Sequence, residues 1–172
     1  MNPSEEMLEV IDDQGNVIGL SSRSECHKNP KLLHRTVHVL IFTSTGQLVL
    51  QRRALTKDIQ PGKWDTSVGG HLSPGETVQA CAEREMNEEL GINHVRLHFL
   101  QQYTWRTDRE SERVVTYKAI HNGPFTPQKN EIDCIRTWKK EDIFQSLGTG
   151  IFTPNFEYEW HLYQRHIQGH PE

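Results

Sequence analysis

The 172-residue chain lacks several features, and each absence narrows what it can be. It has no run approaching the roughly 20 apolar residues that a membrane-crossing helix needs, so no membrane partner is expected. It has only three cysteines, Cys26, Cys81 and Cys134. Odd in number and far apart, they make neither a disulfide framework nor a zinc pattern. A reducing, cytoplasmic setting is the simplest compartment for such a chain. The opening "MNPSEEMLEV" is acidic and has no apolar stretch, which speaks against a secretory signal there. Positive charge is not in excess: 19 Lys and Arg face 23 Asp and Glu, for a net charge of −4. Duplex nucleic acid is therefore not expected as the main partner. No internal repeat or low-complexity segment interrupts the chain. Its 34% hydrophobic and 24% charged content fits a folded protein rather than a disordered one. The length predicts one domain, residues 1–172, with a real core.

The elements present read as mostly strands. "LEVIDDQGNVIGLSS" has two short apolar runs around Asp13-Gln14-Gly15-Asn16, a hairpin pattern. "SRSECHKNPKL" reads as a short helical turn ending near Pro30. "RTVHVLIFTSTGQLVLQRR" gives two Val/Ile/Leu-rich strands around a turn at Ser44-Thr45-Gly46. "TKDIQPGKWDTS" reads as a loop entering a short strand. Further strands are predicted in "VRLHFLQQYTWRT", "RVVTYKAIHNG" and "IDCIRTW". Helices are predicted over Thr77–Leu90, "KKEDIFQSL" and "TPNFEYEWHLYQRHI". Gly91 sits where a helix C-terminal glycine belongs. Few helices among many strands predict an α/β (α+β) chain, a mixed β-sheet sandwiched between helices.

The helix Thr77–Leu90 is crowded with glutamate. At roughly 100° per residue, Glu85, Glu88 and Glu89 share one face, and the apolar row Ala82, Met86, Leu90 runs beside them. The carboxylates therefore flank the buried side and repel one another by a few tenths of a kcal/mol in water, and by more where water is thin. A hard divalent cation, Mg²⁺ or Mn²⁺, would compensate them with the oxygen ligands it prefers. Glutamate-rich helix faces are more often plain solvated surface, so the surrounding pattern has to decide.

That pattern runs Gly70, five residues, Glu76, seven residues, Arg84-Glu85, then Met86, Glu88-Glu89, Gly91 and Ile92. It resembles the Nudix box, G-x5-E-x7-R-E-U-x-E-E-x-G-U with U apolar, and every fixed position is filled. The resemblance implies the Nudix fold and metal-dependent cleavage of a diphosphate bond in a small molecule, such as a nucleoside diphosphate linked to another moiety, by water attacking phosphorus. It implies metal binding by the Gly70 carbonyl, Glu88 and Glu89, with Glu85 either a further ligand or the base that activates water. Arg84 and Glu76 become supports, since an arginine can fix carboxylates by charge-assisted hydrogen bonds. Glycine at 70 leaves its carbonyl unshielded, "SPG" at 73–75 is turn chemistry, and Thr77 is an N-cap residue type. Cations for the non-bridging oxygens are available in "QRRALTKDIQPGK": Arg52, Arg53, Lys57 and Lys63. Glu131 matches the region where many Nudix enzymes place an extra acidic ligand or base.

A second likeness covers roughly residues 8–145. "GQLVLQRRALTKDIQPGKWDTSVGGH" is similar to the matching stretch of type I isopentenyl diphosphate isomerases, which share the Nudix fold. It implies diphosphate contacts for Arg53 and Lys57. It also implies a second metal site from His27, His34, His71, Glu110 and Glu112, a donor set that suits Zn²⁺, Mn²⁺ or Fe²⁺ as well as Mg²⁺. The departure is Gly69. The isomerases carry a reacting cysteine there, and glycine can do no acid–base work. With a complete box and no such group, the expectation is an isomerase-like branch of the Nudix hydrolases. The alternatives are an isomerase using an unrelated acid and a non-catalytic diphosphate-binding module. Trp64, Trp105, Trp138 and Trp160 read as packing residues before base-stacking ones. Cys81 reads as a small buried hydrophobe. The C-terminal helix reads as a packing helix that could also serve a homodimer contact.

Overall fold

The structure, a computed structural model, describes residues 5–169. Among them are nine strands and four helices. The chain opens with the expected hairpin, β1 (Met7–Ile11) and β2 (Val17–Ser22), followed by a one-turn helix, α1 (Arg23–Cys26). Ser22 and Glu25 close α1 with a capping box. Next come β3 (Leu33–Phe42), β4 (Leu48–Arg53), the two-residue β5 (Trp64–Asp65) and β6 (Val68–His71). Helix α2 (Val78–Leu90) leads to β7 (His98–Arg106), β8 (Ser111–Ile120) and β9 (Ile132–Trp138). The chain ends in α3 (Lys140–Ser146) and α4 (Pro154–Gly169).

Strand β3 is the hub. It pairs in parallel with β8 along its whole length, from Leu33–Ser111 to Phe42–Ile120. Its other edge is shared: β1 meets it at His34, β6 covers Thr36 to Val39, and β4 takes over at Ile41 and Phe42. The handover from β6 to β4 opens a fork in the sheet. β7 extends the β8 side, while β5 and β9 extend the β4 side.

Side-chain alternation along β3 sorts the two layers. Val37, Val39 and Ile41 pack with Cys81, Ala82, Met86 and Leu90 of α2. Leu40 and Phe42 point the other way, into a core made with Phe156, Trp160 and Tyr163 of α4. The mixed sheet between helices is therefore present, and the apolar row Ala82, Met86, Leu90 is the face that α2 turns to it. On the α4 face, β3 changes character midway: His34, Thr36 and His38 precede Leu40 and Phe42. The polar half lines the site. Strand β6, the "VGGH" segment, is a strand that the residue types do not predict, because adjacent glycines carry poor strand propensity. The strand predicted from Val95 begins only at His98.

Candidate active site and metal cluster

Helix α2 is set in place at both ends. The Thr77 hydroxyl accepts from Ala80 N, and Gly91 closes the helix in the left-handed region at φ 69°. Three residues before the helix, "SPG" turns the chain, with Gly75 at φ 78°. Glu76, between that turn and the cap, faces Arg84. The Arg84 guanidinium donates to both Glu76 oxygens at 2.9 Å, to Glu85 Oε1 at 2.7 Å, to Glu88 Oε2 at 3.2 Å and to the His71 carbonyl at 3.1 Å. One planar fork thus ties the loop, the helix and β6 together. These hydrogen bonds hold the Glu76 carboxyl below its ordinary range.

The three glutamates differ in depth. Glu88 is exposed, Glu85 is half-buried and Glu89 is buried. Glu89 enters the fork between β4 and β6, where its Oε2 accepts from Gln51 Nε2 at 3.1 Å and Gly69 N at 3.4 Å. Burial first, then the neighbouring Glu85, push the Glu89 carboxyl up to about 8. Glu85 rises to about 7, again chiefly through burial. A Cβ at Gly70 would overlap the Glu85 carboxylate. Position 70 therefore has to be glycine for Glu85 to lie against β6, which is a sterner reason than the freedom of its carbonyl. Two carboxylates pushed up by burial and by neighbouring glutamates, with Glu88 on the same helix face, are a donor set that fits a hard divalent cation.

On the opposite face of β6 lies the imidazole cluster. Donor atoms of His27, His34, His71 and Glu112 all fall within 4.8 Å of one another. His34 Nδ1 donates to the Leu32 carbonyl at 3.1 Å, which turns Nε2 inward, 3.7 Å from Glu112 Oε1. His27 Nε2 and His71 Nε2 approach to 3.1 Å, and His71 Nε2 lies 3.5 Å from Glu112 Oε1. His34 Nε2 and His27 Nδ1 are buried without a hydrogen-bond partner. Converging imidazoles with orphaned nitrogens fit a divalent ion that takes nitrogen and oxygen donors. Burial and the neighbouring His71 depress His27 to about 3. Against burial, contacts with Cys26 and Glu112 raise His34 to about 10. Glu112, though buried, is held well below the carboxylate range by His34 and His71. Glu110 stands apart from the four: its Oε2 lies 3.7 Å from His27 Nδ1, behind the ring. The structure thus gathers four of the five residues and sets the fifth beside His27, at ion-pair distance and without a hydrogen bond.

Both clusters open into one cleft of about 650 Å³. Arg53 and Lys57 reach it, whereas Arg52 pairs with Asp133 outside it and Lys63 does not line it. Arg53 donates Nε to the Ile59 carbonyl at 2.9 Å and Nη1 to Asp65 at 3.3 Å. Lys57 makes an ion pair with Glu131, which also lines the cleft. Of the tryptophans, Trp105 borders the cleft, Trp138 and Trp160 are core, and Trp64 packs on Trp138. Cys81 is buried, and burial raises its thiol.

Two residues that the sequence reading did not single out sit beside this site. His38 Nδ1 donates to Glu159 Oε1 at 3.0 Å, and Glu159, fully buried on α4, also accepts from Thr116 Oγ1 at 2.6 Å. Burial favours the neutral ring, but the Glu159 carboxylate outweighs it and raises His38 to about 9. The signal was the alternation His34, Thr36, His38 along a predicted strand, which marks one face as polar. Nothing local marks Glu159.

Comparison with known proteins follows this geometry. A family model for the NUDIX domain matches residues 32–154. An uncharacterised Nudix hydrolase of Yersinia pestis is 34% identical over 152 residues, 87% of this chain and 81% of that one. An isopentenyl-diphosphate delta-isomerase of Streptomyces griseus is 44% identical over only 87 residues, 51% of this chain and 44% of that one. Among solved structures, the DR0079 protein of Deinococcus radiodurans superposes with a TM-score of 0.80 at 22% identity, covering 93% of this chain and 98% of that one.

Proposed function

Because the chain belongs to the Nudix hydrolase family, we propose that it cleaves the diphosphate bond of a nucleoside diphosphate linked to another moiety, or of a related organic diphosphate, in the presence of Mg²⁺ or Mn²⁺. The observation that carries this reading is the carboxylate edge of Glu85, Glu88 and Glu89, braced by Arg84 and fitted against Gly70. Gly70, through its carbonyl, would hold the cation with these three glutamates, and the cation would neutralise the diphosphate and acidify the attacking water. Arg84 keeps Glu85 and Glu88 oriented, with Glu76 fixing the guanidinium from behind. A Glu85 carboxyl raised to about 7 by burial is suited to take a proton near neutral pH when it is not itself a ligand. Arg53 and Lys57 supply charge for the non-bridging oxygens. A diphosphate that takes Lys57 from its pairing with Glu131 leaves the Glu131 carboxylate facing the cleft, in reach of a base or ligand role.

The assembled His27, His34, His71 and Glu112 cluster favours a second reading, an allylic isomerase with an acid in place of the missing cysteine. In either reading the four residues would hold a second divalent ion, with Glu110 beside His27. One assay separates the readings. Nucleoside-diphosphate compounds and isopentenyl diphosphate are incubated with Mg²⁺ or Mn²⁺, and released phosphate or monophosphate is measured beside rearranged isoprenyl product. Hydrolysis by the wild type that falls by about two orders of magnitude in Glu89→Gln supports the proposal. Equal rates in wild type and variant, or isomer without released phosphate, would sink it.

A further inference from the structure

The pair formed by His38 and Glu159 has no part in the cleavage chemistry described so far, yet its edge faces the same cleft. His38 lines that cleft, and across β6 it is the register partner of Gly69. A Cβ on Gly69 would stand 3.1 Å from His38 Cδ2 and 3.4 Å from Nε2. The absent side chain at 69 is therefore what leaves the Nε2 edge of the ring open. On its other side Gly69 N points to Glu89, so the imidazole and the carboxylate edge share one neighbour.

The pairing looks expensive for a purely structural device. Glu159 is fully buried, and its Oε2 has no hydrogen-bond partner. Burying two ionisable groups takes both out of water, and apolar residues of the same size often do better for stability. With Nδ1 spent on Glu159, the ring is held in one orientation, and Nε2 is the nitrogen left to meet a ligand. A ring kept protonated by a carboxylate offers an N–H there, and an anionic oxygen is its natural acceptor.

We propose that His38 contacts the substrate, donating from Nε2 to an oxygen of the diphosphate beside Gly69, and that Glu159 is the positioning residue that holds the ring for it. The proposal rests on the reading of the cleft as a diphosphate site. It adds a donor on the α4 side of β6, opposite the carboxylates of α2, so that the diphosphate would be gripped from both faces of one strand.

The test uses methylenediphosphonate, which cannot be hydrolysed, titrated calorimetrically into the full chain with Mg²⁺ present. Three variants are compared. His38→Gln keeps a donor for Glu159 but loses the edge at Nε2. Glu159→Gln removes the charge that holds the ring. Gly69→Ala leaves both partners and crowds Nε2. Affinity is expected to fall by about ten- to a hundredfold in His38→Gln, the range for a hydrogen bond involving charged groups, and to fall also in the other two. In the wild type the Nε2 resonance of His38 should shift on adding the analogue, which a ring with only a structural role would not show. Melting temperatures identify any variant that has merely lost its fold, and the wild-type resonance decides in that case. Unchanged affinity in His38→Gln and Gly69→Ala, or an unmoved resonance, overturns the proposal. Hydrolysis by a wild type whose His38 fails these tests overturns the proposal alone. Analogue binding that depends on His38 in a chain that hydrolyses nothing overturns the hydrolase reading and leaves the contact standing.

Discussion

Arg84 serves Glu76, Glu85, Glu88 and the His71 carbonyl with one planar group, and no lysine can reproduce that fan. Arg84→Lys keeps the charge and loses the geometry. It is expected to lower activity by about 10- to 100-fold, the range for residues that orient metal ligands, and to raise the Mg²⁺ concentration needed for half-maximal rate. Activity measured across a Mg²⁺ titration checks it. Glu76 makes a separate prediction about pH. Its carboxyl is held below the ordinary value of 4.5, chiefly by Arg84, so the folded state binds its proton more weakly than the unfolded state. The stability it lends is complete above 4.5 and is lost as pH falls through the lower folded value. Denaturation at neutral and strongly acid pH should show Glu76→Gln losing its deficit relative to wild type on the acid side. At this scale the sequence was most readable where residue types were tied by spacing. Gly70, Glu76, Arg84, Glu85, Glu88 and Glu89 lie within 20 positions in the spacing of the box, and the helix period predicts the shared face of Glu85, Glu88 and Glu89. Glu159 was not readable, because its partner is 121 positions away and only the folded sheet brings them together.

Helix α2 stands between a threonine cap and a left-handed glycine, and both were visible in the chain as residue types at the right offsets. Thr77→Ala should cost about 1 kcal/mol of stability by removing the acceptor for Ala80 N. Chemical denaturation would reveal it, and an unchanged midpoint would mean the cap contributes nothing. Strand β6 behaved differently. Its two glycines point to opposite faces, one toward Glu85 and one toward His38, and their lack of side chains is functional crowding control rather than strand preference. Propensity reads such a segment as a turn or loop, while pairing with β3 makes it a strand. The hairpin β1–β2, strand β4 and helix α4 were legible for the ordinary reason that apolar period and turn residues agree.

For the molecule as a whole, two donor clusters share one cleft but come from opposite layers, α2 on one side and the β3–β8 face on the other. Divalent ions that bind only the folded chain should stabilise it, and so raise its melting temperature, by a free energy that grows with the logarithm of concentration and reaches about 2.7 kcal/mol per site at a hundredfold excess over Kd. With Mn²⁺, Glu89→Gln and His34→Gln should each remove part of the rise and the double variant nearly all of it. A full rise in the double variant would place the ion elsewhere.

The fork beside β3 has a further consequence, which concerns time rather than shape. Where β6 gives way to β4, the strand that separates the clusters is four residues long, carries two glycines and, among the described residues, is paired on one edge. Such a segment has little apolar burial of its own and sits at the low end of local opening free energies. The amide hydrogens of Gly69 to His71 should therefore exchange with solvent sooner than those of central β3. Divalent cations and a diphosphate analogue should each slow them, because the donor clusters and the proposed diphosphate contact all lie against this strand. Exchange rates at these few amides would then report occupancy of either cluster through local opening, apart from the slowing of core amides that global stabilisation brings.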